Sequence, residues 1–346
     1  MASRRLRQLR LRTIFLFVLP VAILSLYPRV AEQGYLTYTL IVILAYSIIG
    51  FYYNVLLGNV GIPFLGPMVP YAVGGYTAGY LSLNGYNPLI GIVVGSFFAA
   101  GSGFAFSLLS NRVRGLYMAL YSLVFTLFFH QLIVRSDIPA LFHIFVGAIG
   151  QNTIPDITLG GFRWRLGDGV AYYYLGILLF VGSAIFLKIL LDSRFGVAFK
   201  AVRDAEVYAA SLGIGIFRVK VIAFLVSSFF IGLSGGFLTI FYQAVGPDIL
   251  ETSNMLLFFS MVVFGGLGTF FGPVVGAFIL VPLNNYLTPY GAWRLFAWGL
   301  AILFVVLVAP EGAVGKAERL LRGRNIRGLI GSARAWTRTA SGTSTS

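Results

Sequence analysis

Asp192–Lys220 reads DSRFGVAFKAVRDAEVYAASLGIGIFRVK and lies between two apolar runs, Ala171–Leu191 and Val221–Gln243. At ~1.5 Å per residue, runs of that length match a hydrocarbon layer about 30 Å thick. Between them charge of both signs returns at helical spacing. Phe199, Val202, Ala209 and Leu212 recur near a 3.6-residue period, while Lys200, Arg203, Asp204 and Glu206 fall on other faces, which predicts a short amphipathic helix within 197–213. Lys200 and Asp204 form an i,i+4 pair, and Gly213 is placed to stop the helix. Such a helix either packs on its own bundle or docks into a groove of something in water.

Working outward, the rest of the chain is apolar. Its 346 residues are 58% hydrophobic and 10% charged, against roughly 25% charged in soluble domains, which excludes a water-soluble core. Cysteine is absent, so there are no disulfides and no thiolate metal site, and no cluster of metal ligands is seen. Further runs are Thr13–Tyr27, Leu36–Leu57, Ile62–Leu83, Pro88–Leu109 and Gly115–Val134, with shorter ones at Asn254–Thr269, Gly272–Leu287 and Leu295–Ala309. The first is read as an uncleaved span, since no small-x-small cleavage site follows its basic flank at Ser25–Val30. These runs predict an all-α, polytopic integral membrane bundle of about ten transmembrane segments.

The net charge of +14 is distributed for orientation in a membrane; no nucleic acid partner is expected. With the N-terminus inside, segments 1–12, 110–114, 188–220 and 310–346 hold 20 of the 25 Lys and Arg, and the outer segments hold the other 5. Both termini are therefore expected in the cytoplasm. The organisation that follows is a transmembrane domain over 1–310, with a cytoplasmic loop at 192–220 and an outer loop at 136–170, and a basic cytoplasmic tail at 311–346. The outer loop is expected to carry an interfacial or re-entrant piece at Pro139–Gly150. The tail, which alternates Arg with Leu and Ile, either lies on anionic lipid or is solvated.

Ion-coupled transporters keep ionisable groups inside the bilayer. None is expected here, apart from Lys188 and Arg294 at span ends, and His130 reads as an interfacial histidine. There is no GxxxxGK[ST], no HExxH and no pair of carboxylates for acid–base work; His143, Asp156 and Asp168 on the outer loop are unpersuasive as a catalytic cluster. An enzyme and an ion-coupled secondary transporter are both disfavoured. Transport by this chain would need power from a partner.

Two glycine-rich stretches interrupt the spans. Gly58–Gly79 (GNVGIPFLGPMVPYAVGGYTAG) includes Gly74 and Gly75, and Gly265–Gly276 (GGLGTFFGPVVG) includes Gly266, Gly268, Gly272 and Pro273. Such breaks mark either a translocation path or close helix packing, here at Gly75–Gly79 and Gly272–Gly276. Candidates to line a path are Asn54, Tyr76, Thr77, Ser122, Thr126, Gln243, Ser260, Asn284 and Asn285.

GLYMALYSLVFTLFF (Gly115–Phe129), Ser193–Leu238 and VVFGGLGTFFGPVVGAF (Val262–Phe278) resemble the LivM-type permeases, membrane subunits of branched-chain amino acid ABC importers. Gly58–Leu81 fits the same family more loosely, and the likeness covers roughly residues 40–310 in order. The resemblance implies a multi-pass protein of the cell membrane that is not an enzyme and moves leucine, isoleucine and valine by alternating access. It implies a second, similar permease, two cytoplasmic ATPase subunits that use ATP, and an external substrate-binding protein, with no cofactor bound by this chain. Ala201–Gly213 would be the coupling segment received by an ATPase groove, with Arg203, Asp204, Ala209 and Gly213 matching the family's loop. Gly265, Gly266, Gly268, Gly272 and Pro273 would match its late glycine-rich turn. Ile62–Pro67 and the outer loop depart from the family pattern, so a urea or short-amide importer, or one for other amino acids, stays open as the alternative.

Overall fold

The computed structural model describes residues 34–110, 112–113, 115–135, 150–152, 154–155, 157–159, 162–164, 169–291, 293, 296–297, 299–300 and 303. The expected span Thr13–Tyr27, the tail at 311–346, most of Pro139–Gly150 and most of Leu295–Ala309 lie outside these residues.

Ten α-helices carry the fold among the described residues. They are α1 (Tyr35–Asn54), α2 (Met68–Leu83), α3 (Pro88–Ser110), α4 (Leu116–Val134), α5 (Gly169–Asp192), α6 (Arg194–Asp204), α7 (Glu206–Ser211), α8 (Ile216–Tyr242), α9 (Thr252–Gly265) and α10 (Gly272–Leu287). Among the described residues five stretches are long and apolar enough to cross a membrane: α1 with the turn that continues it, α3, α4, α5 and α8. The all-helical membrane bundle expected from the sequence is what the chain builds.

Three boundaries differ from the periodicity reading. Ile62–Leu83 is not one span: Ile62–Pro67 is extended, and helix α2 begins only at Met68. Pro63 and Pro67 explain this, because proline removes a backbone donor and pushes the preceding residue out of the α region. The extended segment is held instead by Ser122, whose hydroxyl accepts a hydrogen bond from the Leu65 backbone N–H at 2.8 Å. Secondly, α8 starts at Ile216, so the last five residues of the polar island, Lys220 included, belong to a membrane helix. Thirdly, two short antiparallel ribbons appear where only loop was expected. Strand β1 (Gln151–Asn152) pairs with β4 (Ala244–Val245), and β2 (Ile157–Leu159) pairs with β3 (Phe162–Trp164).

The packing centre is α8, which lies against α2, α3 and α1. Small residues let it approach: a methyl group at Gly74 of α2 would run into the Gly232 backbone of α8, the close crossing that membrane helices use when lipid gives no hydrophobic drive. Aromatic contacts fill the wider gaps. Tyr52 of α1 stacks on Phe230 of α8 at 4.1 Å between ring centroids, and its hydroxyl donates to the Ser183 carbonyl of α5 at 2.8 Å. One side chain thus ties three helices at mid-bundle. Helices α9 and α10 pack on each other and both contact α1.

Candidate functional site

Helix α1 does not stop at Asn54. It runs on into a six-residue π-helical turn, Val55–Val60, and ends at Gly61, whose φ of 75° is open to glycine at little cost. π-turns are rare and concentrate at functional positions. This one sits at the end of the bundle that carries the polar island, called the basic end below.

The late glycine-rich turn, 266–271 between α9 and α10, meets the π-turn there. Asn54 is the clamp: its amide donates to the Thr269 carbonyl at 2.7 Å, and its side-chain oxygen accepts from the Gly268 N–H at 2.9 Å. Gly58 lies so close to the Gly268 backbone and the Asn54 side chain that a methyl group on it would overlap both. The two glycine-rich stretches, 200 residues apart in sequence, are one structural unit.

Arg203 joins that unit to the island. Its guanidinium donates to the Gly58 carbonyl at 2.9 Å through one terminal nitrogen and to Asp204 at 2.9 Å through Nε. An atom added at Gly61 would sit 2.7 Å from Arg203 Cγ. The arginine therefore lies along the end of the π-turn, with its tip on the Gly58 carbonyl.

The island itself departs from the single amphipathic helix expected across 197–213. It breaks at Ala205 into α6 and α7. Ser193 caps α6, its hydroxyl accepting from the Phe195 N–H at 3.2 Å. Gly213, at φ 80°, closes α7 as expected: the Ile214 N–H reaches the Ala209 carbonyl at 3.1 Å and the Gly213 N–H the Ala210 carbonyl at 3.0 Å. Phe199, Val202 and Ala209 are buried against the chain's own bundle, so these three offer nothing to a groove elsewhere. Leu212 is the exception at 81% exposed, and with Val207 at 77% and Tyr208 at 75% it forms an apolar surface on α7 that the sequence pattern had not singled out. The expected Lys200–Asp204 pair is replaced by Arg203–Asp204 among the described residues.

A second link joins α7 to α8. Lys220 Nζ lies 3.0 Å from Glu206 Oε1, and Lys220 is only 5% exposed. The charge census had placed this lysine in the aqueous loop; the structure buries it in the first turns of a membrane helix. Beside the pair is a cavity of about 160 Å³, bounded by the 60–63 turn, Ser110, Val113 and Gly115, and Arg203, Glu206 and Lys220.

The polar side chains proposed to line a path do not converge. Thr126 and Ser260 donate to the carbonyls of Ser122 and Leu256 in their own helices. Ser122 holds the extended segment, and Asn54 holds the late turn. Gln243 closes α8 in a left-handed conformation, φ 55°, and its carbonyl accepts from Ile154 at 3.2 Å. Tyr76 is buried, with its carbonyl accepting from Gln151 Nε2 at 3.2 Å; Thr77 is half-buried on the same helix. Asn284 and Asn285 are half-buried near the end of α10. Among the glycine breaks, Gly75 faces Thr239, the backbones of Gly265 and Gly272 abut, Gly266 ends α9 and Pro273 packs on Gly50.

The family model described as the permease component of branched-chain amino acid transport systems matches residues 35–310. The chain belongs to that family. Among curated relatives, the high-affinity branched-chain amino acid transport system permease protein LivM of Escherichia coli K12 is 26% identical over 340 residues, covering 91% of this chain and 77% of the relative. LivM of Salmonella typhimurium is 27% identical over 296 residues, covering 77% of this chain and 67% of its own. A probable ABC transporter permease of Sinorhizobium fredii, y4mJ, is 35% identical over 160 residues, or 42% of this chain and 47% of that protein. No solved structure matches. As a member of this permease family, the chain is a multi-pass protein of the cell membrane, and its matched region takes in the π-turn, the island and the late glycine turn together.

Proposed function

We propose that this permease subunit translocates leucine, isoleucine and valine by alternating access, powered by ATPase subunits that dock on α7 at the cytoplasmic end of the bundle. The observation that carries the mechanism is the Arg203–Gly58 hydrogen bond. A partner that moves the α6–α7 unit moves Arg203, and Arg203 is held to the π-turn of α1, which Asn54 clamps to the late glycine turn. The docking surface is the apolar face Val207, Tyr208 and Leu212, exposed in the subunit alone. A water-facing apolar patch on a polar loop is the kind of surface that marks a protein contact. The working assembly holds two ATPases, which bind the ATP, a second similar permease, and an external binding protein that supplies tight recognition of the amino acid; no cofactor resides in this chain.

Reconstitution of that assembly in proteoliposomes tests the reading. ATP-dependent uptake of labelled leucine is expected, and the double variant Val207→Glu/Leu212→Glu should insert normally yet fail to retain the ATPases. Full ATPase retention by that variant would remove α7 as the docking surface, and uptake of urea in place of branched-chain amino acids would change the substrate.

A further inference from the structure

The cavity at the basic end has a charge arrangement that the coupling mechanism does not use. An ammonium carries three donors, and among the described residues Lys220 makes one bond, to Glu206 Oε1 at 3.0 Å. Lys220 is 5% exposed and lines the cavity. Two donors of a buried cation are thus left without a protein acceptor among the described residues, a costly arrangement unless something in the cavity accepts. Glu206, on the same wall, is the half-open partner, with 29% of its side chain exposed. Its carboxylate is a ready acceptor for a cationic group entering from the water side. Val60, Ile62, Val113, Met118 and Val202 add apolar lining to the same cavity.

A simple anion answers the lysine but lies against the Glu206 carboxylate. A simple cation has the opposite problem. Arg203, also on the lining, already donates to Asp204 and to the Gly58 carbonyl, so a ligand with one carboxylate, one ammonium and a short hydrocarbon tail satisfies Lys220, Glu206 and the apolar lining. A cavity of about 160 Å³ has room for several waters or a small organic molecule. We propose that this cavity binds a zwitterionic aliphatic α-amino acid on the cytoplasmic side, its carboxylate on Lys220, its ammonium on Glu206 and its side chain toward Val113 and Met118. This rests on the branched-chain amino acid reading above and extends it: the molecule delivered is the molecule bound. Occupancy inserts the ligand's charges between Lys220 and Glu206, loosens α7 from α8, and so lowers coupling as product accumulates.

Two measurements on the complete transporter test this. In equilibrium dialysis without the external binding protein, labelled leucine is expected to bind, with affinity about tenfold weaker in Lys220→Gln, as expected for a lost charge-assisted hydrogen bond, and also reduced when Val113→Phe fills the apolar end. In proteoliposomes with the coupling loop inside, preloaded leucine should lower the initial uptake rate, and the ratio of loaded to unloaded rates should approach one in both variants. Binding unchanged in both variants overturns the proposal, as does equal inhibition by preloaded inorganic phosphate, which would make this an anion site. Leucine uptake with no effect of preloading and no binding also overturns it while leaving the transport reading intact. Failure of all branched-chain amino acid uptake, with urea taken up instead, sinks the transport reading; leucine binding in dialysis then decides the cavity on its own.

Discussion

Arg203 and Gly58 are 145 residues apart in sequence and are joined by a 2.9 Å hydrogen bond from a guanidinium nitrogen to a backbone carbonyl. The bond runs from the loop proposed to receive the ATPases to the end of a membrane helix. Replacing Arg203 with Ala removes a charge-assisted hydrogen bond worth about 1.5–3 kcal/mol before allowance for its partial exposure. Uptake per ATP hydrolysed is expected to fall by several-fold to tenfold while ATP hydrolysis persists. Arg203→Lys should recover only part, because one ammonium cannot reach both Gly58 and Asp204 with a fork. Parallel assays of hydrolysis and leucine uptake check this.

The Gly58–Gly268 approach gives a stability test. Gly61→Ala places a side chain at φ 75°, costing about 1–2 kcal/mol. Gly58→Ala should be worse, because the added methyl overlaps backbone that the Asn54 clamp fixes in place. Gly85→Ala, also at positive φ (85°) but with nothing within 4 Å, is the control that carries the conformational cost alone. Thermal unfolding of the purified subunit in detergent should rank the three with Gly58→Ala the least stable.

Glu206 and Lys220 should behave as a coupled pair. Removing either partner leaves a charge in a largely dry site, and the loss is expected near the low end of the ~3–5 kcal/mol typical of broken buried pairs, since Glu206 is partly exposed. A double-mutant cycle with Glu206→Gln and Lys220→Gln should show non-additivity of about 1 kcal/mol or more. Additive losses would mean that the pair does not hold α7.

The absence of cysteine makes exposure directly measurable. A single cysteine at Leu212, 81% exposed, should react rapidly with a water-soluble maleimide in the isolated subunit and become protected in the complete transporter. Phe199→Cys, at a position 0% exposed, should stay unreactive in both. Equal labelling of Leu212→Cys with and without the ATPases would show that α7 is not covered.

The bundle was legible in the sequence because a bilayer imposes length and hydropathy on every span, and the runs at Pro88–Leu109, Gly115–Val134 and Ala171–Leu191 are matched closely by α3, α4 and α5. The glycine-rich stretches and Arg203 were also legible as special. Their meeting was not, because a hydrogen bond from Arg203 to a backbone carbonyl leaves no mark on the identity of residue 58. The face of the island was misread for a related reason. Phe199, Val202 and Ala209 have the periodicity of a docking face, but a 3.6-residue pattern says which residues share a side and nothing of what covers it. Lys220 was misplaced because a charge census assigns it to water by default, and only its partner Glu206, fourteen residues earlier, makes burial tolerable. The path candidates were picked as isolated polar letters; Thr126 and Ser260 turn out to bond the preceding turn of their own helix.

Helix α6 follows α5 in the chain after the single residue Ser193, and Arg203 lies ten positions further on. At ~1.5 Å per residue that is an arm of about 15 Å, so a tilt of roughly five degrees about Ser193 displaces Arg203 by about 1.3 Å. A hydrogen bond of 2.9 Å does not survive such a stretch. The contact is therefore a tilt gauge: a rotation of α6 by a few degrees is enough to open it.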